Sequence, residues 1–160
     1  MKMNQKGRGN DNFQTPTFIF EQLDNVFNFT LDSASSEQNH LCEIYFTDSI
    51  YDGVSRPWGK FGTFNGHRVF CNPPFSNKAE WIKKADHEVQ NNNCPVCVMI
   101  LPSLCMDTKV WHEYIEGKYL YEILQGRISF IDPETGKPKS GNNSGTVIVY
   151  FKKKIITTTP

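Results

Sequence analysis

Arg68-Val69-Phe70-Cys71-Asn72-Pro73-Pro74-Phe75-Ser76 is the stretch that decides how this chain is read. Val69-Phe70-Cys71 is a short apolar run suited to a strand, and the Asn-Pro-Pro after it stops the strand. Proline gives no N–H to a sheet ladder and holds the residue before it extended. Asn72 offers a side-chain carbonyl, Pro73 can present only its main-chain carbonyl, and Phe75 supplies a ring face. Together they suit a flat heterocycle held by its exocyclic amine, with adenine the best fit. The same residues also serve as plain punctuation between a strand and a loop, so the neighbours must decide.

On the C-terminal side, Ser76 or Asn77 caps a predicted helix whose Trp81, Ile82, Ala85 and Val89 share one face, with Glu80 and Lys84 paired a turn apart. Val96-Cys97-Val98-Met99-Ile100-Leu101 is a continuous apolar run closed by Pro102. It reads as the central strand of a parallel sheet, buried on both faces. Asp107 caps a further helix through Val110, Trp111, Tyr114 and Ile115, ended by Gly117. On the N-terminal side, Thr15 caps a helix with Pro16 at its first position, running through Phe18, Ile19, Leu23, Val26 and Phe27. Asn28–Leu31 is then a strand ending at Asp32, and Glu43–Phe46 a second short one.

Tyr121–Leu124, Arg127–Ile131 and Thr146–Phe151 read as strands of a C-terminal antiparallel hairpin around the Gly/Pro/Asn/Lys-rich loop 132–145. A loop of that length usually carries function or is disordered. The expected fold class is therefore α/β, a mostly parallel sheet in three layers with an antiparallel hairpin at its end. Ligands in such folds sit at the carboxyl ends of the strands, where Asp32 and Asn72 face one crevice.

The chain has 160 residues, enough for a single core over 12–152, with an arm at 1–11 and a tail at 153–160. That leaves no room for a separate specificity domain. The polar N-terminus carries neither a signal peptide nor a membrane span, which implies a cytoplasmic protein. Lys and Arg total 17, Asp and Glu 17, so the net charge is zero, which argues against binding of nucleic acid by bulk electrostatics. Local phosphate contacts remain open to Lys2, Lys6 and Arg8 in the arm, Lys78, Lys83 and Lys84 after the Asn-Pro-Pro-Phe site, and Lys137 and Lys139 in the long loop. Each is equally well an ordinary solvated lysine.

The five cysteines form an odd set within or beside apolar runs and read as reduced core residues. Metal binding by Cys94 and Cys97, with Cys105 or His112, is the alternative, but a second paired motif is missing and no metal is expected. The histidines have no ligand spacing. Trp58, Phe61 and Phe64 are read as core, with a place in the adenine or cofactor pocket as the alternative, whereas Phe13 is placed at the pocket.

Methylation of an exocyclic amine is the chemistry that calls for an Asn-Pro-Pro-Phe site. The nitrogen is a poor nucleophile because its lone pair is delocalised into the ring, and it becomes transiently cationic. Two acceptors aimed at it stabilise that charge, and a stacked ring fixes its plane, so no strong general base is needed.

Taken together the residues resemble the small phage-type DNA N-6-adenine methyltransferases, from about Asn12 to Phe151. The landmarks are Phe13-Gln14-Thr15-Pro16, Leu31-Asp32-Ser33-Ala34, Asp52-Gly53 followed by Trp58, Asn72-Pro73-Pro74-Phe75 with Trp81 and Lys84, Leu101-Pro102 with Asp107-Thr108, and Gly126-Arg127-Ile128-Ser129-Phe130. The resemblance implies a reduced Rossmann-like methyltransferase fold and S-adenosylmethionine-dependent methylation of adenine in double-stranded DNA. Asn72 and the Pro73 carbonyl would grip the amine, Pro74 would stiffen the loop, and Phe75 would stack on the flipped base.

Phe13, Thr15, Pro16, Asp32, Ser33, Ala34, Asp52 and Asn72 would bind the cofactor, and Lys78, Lys137 and Lys139 would meet DNA. The glycine-rich cofactor loop common in methyltransferases is replaced here by Asp32-Ser33-Ala34-Ser35-Ser36, so small residues other than glycine would approach the methionine moiety. Base flipping costs a few kcal/mol, which a homodimer, the arm or ordering of the 132–145 loop would help to offset. An N-methyltransferase of RNA or protein glutamine, and a non-catalytic nucleic-acid-binding remnant, are the alternatives.

Overall fold

The computed structural model describes residues 13–47, 52–59, 66–139 and 144–154. The arm, Phe61 and Phe64, and the end of the tail lie outside them. In chain order the elements are α1 (Thr17–Phe27), β1 (Leu31–Ser35), β2 (Tyr45–Thr47), β3 (Arg68–Cys71), α2 (Lys78–Gln90), β4 (Val96–Pro102), α3 (Lys109–Tyr114), β5 (Leu120–Ile123) and β6 (Thr146–Phe151). Single 3-10 turns at Phe75–Asn77 and Ser103–Asp107 follow the carboxyl ends of β3 and β4.

Among the described residues these strands make one six-stranded sheet in the order β2-β1-β3-β4-β6-β5. β2, β1, β3 and β4 are mutually parallel, and β6 runs against both β4 and β5. The architecture is mixed α/β and mostly parallel. β4 lies inside the sheet, and every one of its residues is buried. Its alternate side chains feed two cores: Cys97, Met99 and Leu101 meet Trp81, Ile82 and Ala85 of α2 and Trp111 of α3. Val96, Val98 and Ile100 meet Ile19, Phe20 and Leu23 of α1. The period of two in a strand thus produces three layers. Burying residues such as Trp81 and Ile82 contributes roughly 1.5–3 kcal/mol each. No helix among the described residues is long and apolar enough to cross a membrane.

Several sequence expectations shift. The strand read as Asn28–Leu31 begins only at Leu31 and continues through Asp32 to Ser35. Asn28 is instead the left-handed C-cap of α1, at φ 50°, and the Asp24 carboxylate accepts the Phe29 N–H at 2.8 Å. Thr15 is not the cap of α1. Pro16 holds that position, and its carbonyl accepts Ile19 N–H at 3.1 Å. Thr108 rather than Asp107 caps α3, through Trp111 N–H at 3.4 Å.

Arg127–Ile131 is no strand. β4 and β5 occupy the two edges of β6, so β6 has no edge left for it, and Ile131 makes only isolated bridges to Gln14 and Pro138. Lys84 pairs with Glu88 at 2.6 Å, and Glu80 with Lys83 at 3.6 Å. Glu88 is only 2% exposed and also accepts Trp58 N–H at 3.0 Å, so it takes the cation that a buried carboxylate requires.

Candidate active site

β1 is followed outward by β2, and the chain then returns to lay β3 on the other side of β1. Strand order therefore reverses between β1 and β3, which is where an open α/β sheet leaves a crevice at its carboxyl edge. Their pairing ends at Asp32 opposite Phe70. Beyond it the chains part, and β1 shifts register against β2 between Asp32 and Ser35. A cavity of about 310 Å³ fills the gap, with Asp32, Phe70, Asn72 and Pro74 on its walls. Phe13 and Thr15 from ahead of α1, Gln38 and Asn39 from the loop after β1, and Pro133 from the long loop complete much of the rim.

Asn72 follows the last residue of β3 and is half-buried. Its Nδ2 donates to the Phe13 carbonyl at 3.1 Å. A carbonyl can be met only by the amide's N–H side, so this contact fixes which way the group is turned and leaves Oδ1 to accept from a ligand. Phe13 is held in place in turn: Gln14 and Ile131 exchange both main-chain hydrogen bonds at 2.9 Å, and the Lys139 ammonium lies 4.6 Å from the Phe13 ring centroid.

Asp32 is 3% exposed. Its Oδ2 accepts Leu41 N–H at 3.0 Å and its Oδ1 accepts Ala34 N–H at 3.4 Å, which ties the loop after β1 to the cavity wall. Burial pushes the carboxyl up to about 6, opposed by those amides and by His40. A carboxylate has about four lone-pair sites; the two amides leave acceptor capacity for a ligand hydroxyl or ammonium. Thr15 Oγ1 is buried beside the cavity and has no hydrogen-bond partner among the described residues. Orphaned buried polar groups are uncommon in native proteins, and one beside a cavity is suited to a ligand.

A family model described as DNA N-6-adenine-methyltransferase (Dam) matches residues 2–159. The chain belongs to that family. It is 31% identical over 160 residues to a DNA N-6-adenine-methyltransferase of Escherichia phage T1, an alignment covering 89% of this chain and 63% of that protein. It is 29% identical over 157 residues to a DNA N-6-adenine-methyltransferase of Haemophilus phage HP1 (strain HP1c1), covering 96% of this chain and 85% of the relative. The chain thus spans less than two thirds of the phage T1 protein's length.

Of the residues singled out in this family member's sequence, the cavity brings together Phe13, Thr15, Asp32, Ala34, Asn72 and Pro74. Pro16 and Pro73 are buried and do not line the cavity. Ser33 turns away, donating from Oγ to the Phe70 carbonyl at 3.2 Å. Phe75 lies just outside the cavity wall, its ring edge-on to Phe130 with centroids 5.9 Å apart. Asp52 is not brought in: it is exposed, and its Oδ1 accepts Val54 N–H at 2.9 Å within its own turn.

Lys78 Nζ donates to the Phe75 carbonyl at 3.2 Å, and Lys137 is exposed on the long loop. The cysteines of the described residues are free and buried, and burial pushes the Cys94 thiol up to about 12. Sequence reading missed Gln14, Gln38, Asn39, Leu41 and Pro133. The polar run Ser36-Glu37-Gln38-Asn39 directly after β1 was the available signal for two of them.

Proposed function

We propose that this chain is an S-adenosylmethionine-dependent DNA (adenine-N6)-methyltransferase on a reduced Rossmann-like fold, acting on an adenine flipped out of double-stranded DNA. The observation that carries the reading is the Asn72 amide, turned by the Phe13 carbonyl at 3.1 Å so that Oδ1 is left as an acceptor at the cavity. A methyl donor suits the residues present. Asp32 retains acceptor capacity, Thr15 Oγ1 lacks a partner among the described residues, and Ala34 and Ser35 line the wall without bulk. When bound, S-adenosylmethionine supplies an electrophilic methyl group on a sulfonium.

The remaining work falls to the chain's own side chains. Asn72 Oδ1 and the Pro73 carbonyl accept the two N–H groups of the adenine amine and draw it towards tetrahedral geometry. Positive charge that develops on that nitrogen meets two preorganised dipoles, and its surplus proton leaves to water. Phe75 stacks on the extruded base and fixes its plane. Lys78, Lys137 and Lys139 take the flanking phosphates, and the relatives' names support DNA as the polymer.

The test is transfer of labelled methyl from S-adenosylmethionine to unmethylated duplex DNA, single-stranded DNA and RNA in parallel, followed by nucleoside analysis. N-6-methyladenine from DNA is the expected product. Label in RNA alone, or in none of the three, overturns the proposal.

A further inference from the structure

We infer that Phe130 is a positioning residue for Phe75, setting the tilt of the ring on which the target base stacks. The inference rests on the role proposed above for Phe75. Phe130 closes the stretch Gly126-Arg127-Ile128-Ser129-Phe130, and no part of the proposed mechanism uses that stretch. It is 5% exposed and does not line the cavity, so it does not meet the ligand directly. Its ring packs against Phe75 at 89°, with centroids 5.9 Å apart. Ring quadrupoles favour this edge-to-face arrangement over a sandwich, so the contact fixes tilt as well as position.

Phe130 is itself firmly held. Its carbonyl accepts Lys139 N–H at 2.8 Å, and the next residue, Ile131, exchanges both main-chain hydrogen bonds with Gln14 at 2.9 Å. Gln14 adjoins Phe13, whose carbonyl turns the Asn72 amide. One strap therefore holds both the stacking ring and the amide acceptor, which fixes their mutual placement. Methyl transfer depends on that placement, because it needs the base plane and the amine aligned together.

The test is a double-mutant cycle on methyl transfer to duplex DNA with Phe130→Leu, Phe75→Leu and both together. S-adenosylmethionine affinity by calorimetry and thermal unfolding are measured alongside. Phe130→Leu is expected to lower kcat roughly three- to tenfold, the range an aromatic pair supports, with cofactor affinity unchanged. In the Phe75→Leu background the same substitution should cost less than about twofold, because coupled residues are not additive. Phe130→Tyr, which keeps the ring, should restore most of the rate. Should Phe130→Leu unfold, Phe130→Met repeats the test without a ring but with similar volume.

A merely structural Phe130 would lower kcat by the same factor in both backgrounds, and that result overturns the inference, as does a wild-type kcat in Phe130→Leu. A wild-type protein that transfers no methyl to DNA removes the proposed function and this inference together. An active wild type with equal factors removes this inference alone.

Discussion

The Asn72 side chain donates to the Phe13 carbonyl, and that contact divides its amide into a structural half and, in the proposed mechanism, a chemical half. Asn72→Ala removes an acceptor used mainly as charge develops. We expect kcat to fall by at least about 10²-fold, the loss typical for a preorganised dipole, with S-adenosylmethionine affinity changed much less. Single-turnover methylation and calorimetry on one preparation check this, and wild-type turnover would remove Asn72 from the mechanism. Asp32 invites a pH experiment. Burial raises its carboxyl from 3.8 to about 6. Near pH 3 it is protonated whether the chain is folded or not. As pH rises towards 6 the unfolded chain ionises first, so this group's contribution falls across that window by up to about 3 kcal/mol and then stays level. Cofactor affinity has the opposite trend: if the carboxylate accepts from the cofactor, affinity rises with pH through about 6 and levels off above 7. Asp32→Asn should bind weakly at every pH, with the slope gone, and calorimetry between pH 5 and 7.5 reads both.

At the scale of elements, the loop after β2 packs closely on the middle of β1. A Cβ on Gly53 would lie 1.9 Å from the Ser33 carbonyl oxygen and 2.7 Å from the Trp81 ring. The carbonyl belongs to the backbone and cannot rotate aside. Gly53→Ala should therefore destabilise by roughly 1–3 kcal/mol, read from the midpoint of urea unfolding. Lys84→Ala should cost about 3 kcal/mol for a different reason, leaving the buried Glu88 carboxylate without its cation. These two contacts also mark the limit of what the sequence made legible. β4, α2 and the end of β3 were readable because continuous apolar runs, a helical apolar face and Pro-Pro are local signals. The partner of Lys84 was not, because Glu80 and Glu88 both stand four residues from it and only burial chooses between them. Arg127–Ile131 has the apolar content of a strand, yet β6 had no free edge to offer it. Asn72 was found from its own motif, but its orientation comes from Phe13, and the Gln14–Ile131 pair that steadies Phe13 joins segments far apart in the chain.

For the whole molecule the governing quantity is charge. Lys and Arg equal Asp and Glu at 17 each, so the long-range field attracts a polyanion weakly, and on the proposed function affinity for DNA has to come from a few placed cations. Lys78, Lys137 and Lys139 are the cations to which the proposal assigns that role. If each displaces one condensed counterion, log K should fall with log salt at a slope of roughly −3, shallow for a duplex-binding protein. Lys137→Ala should flatten that slope by about 0.9 and weaken binding to all DNA sequences alike, leaving kcat on bound substrate intact. Lys139 stands differently, because its ammonium lies 4.6 Å from the Phe13 ring centroid. Lys139→Ala should flatten the slope by the same amount and lower kcat as well, since Phe13 loses a restraint and the Asn72 amide with it. Fluorescence anisotropy of a labelled duplex at stepped salt, paired with single-turnover rates, separates the two lysines. Equal kcat in both variants would show that Lys139 serves DNA alone, and an unchanged salt slope in both would place the phosphates on another face of the molecule.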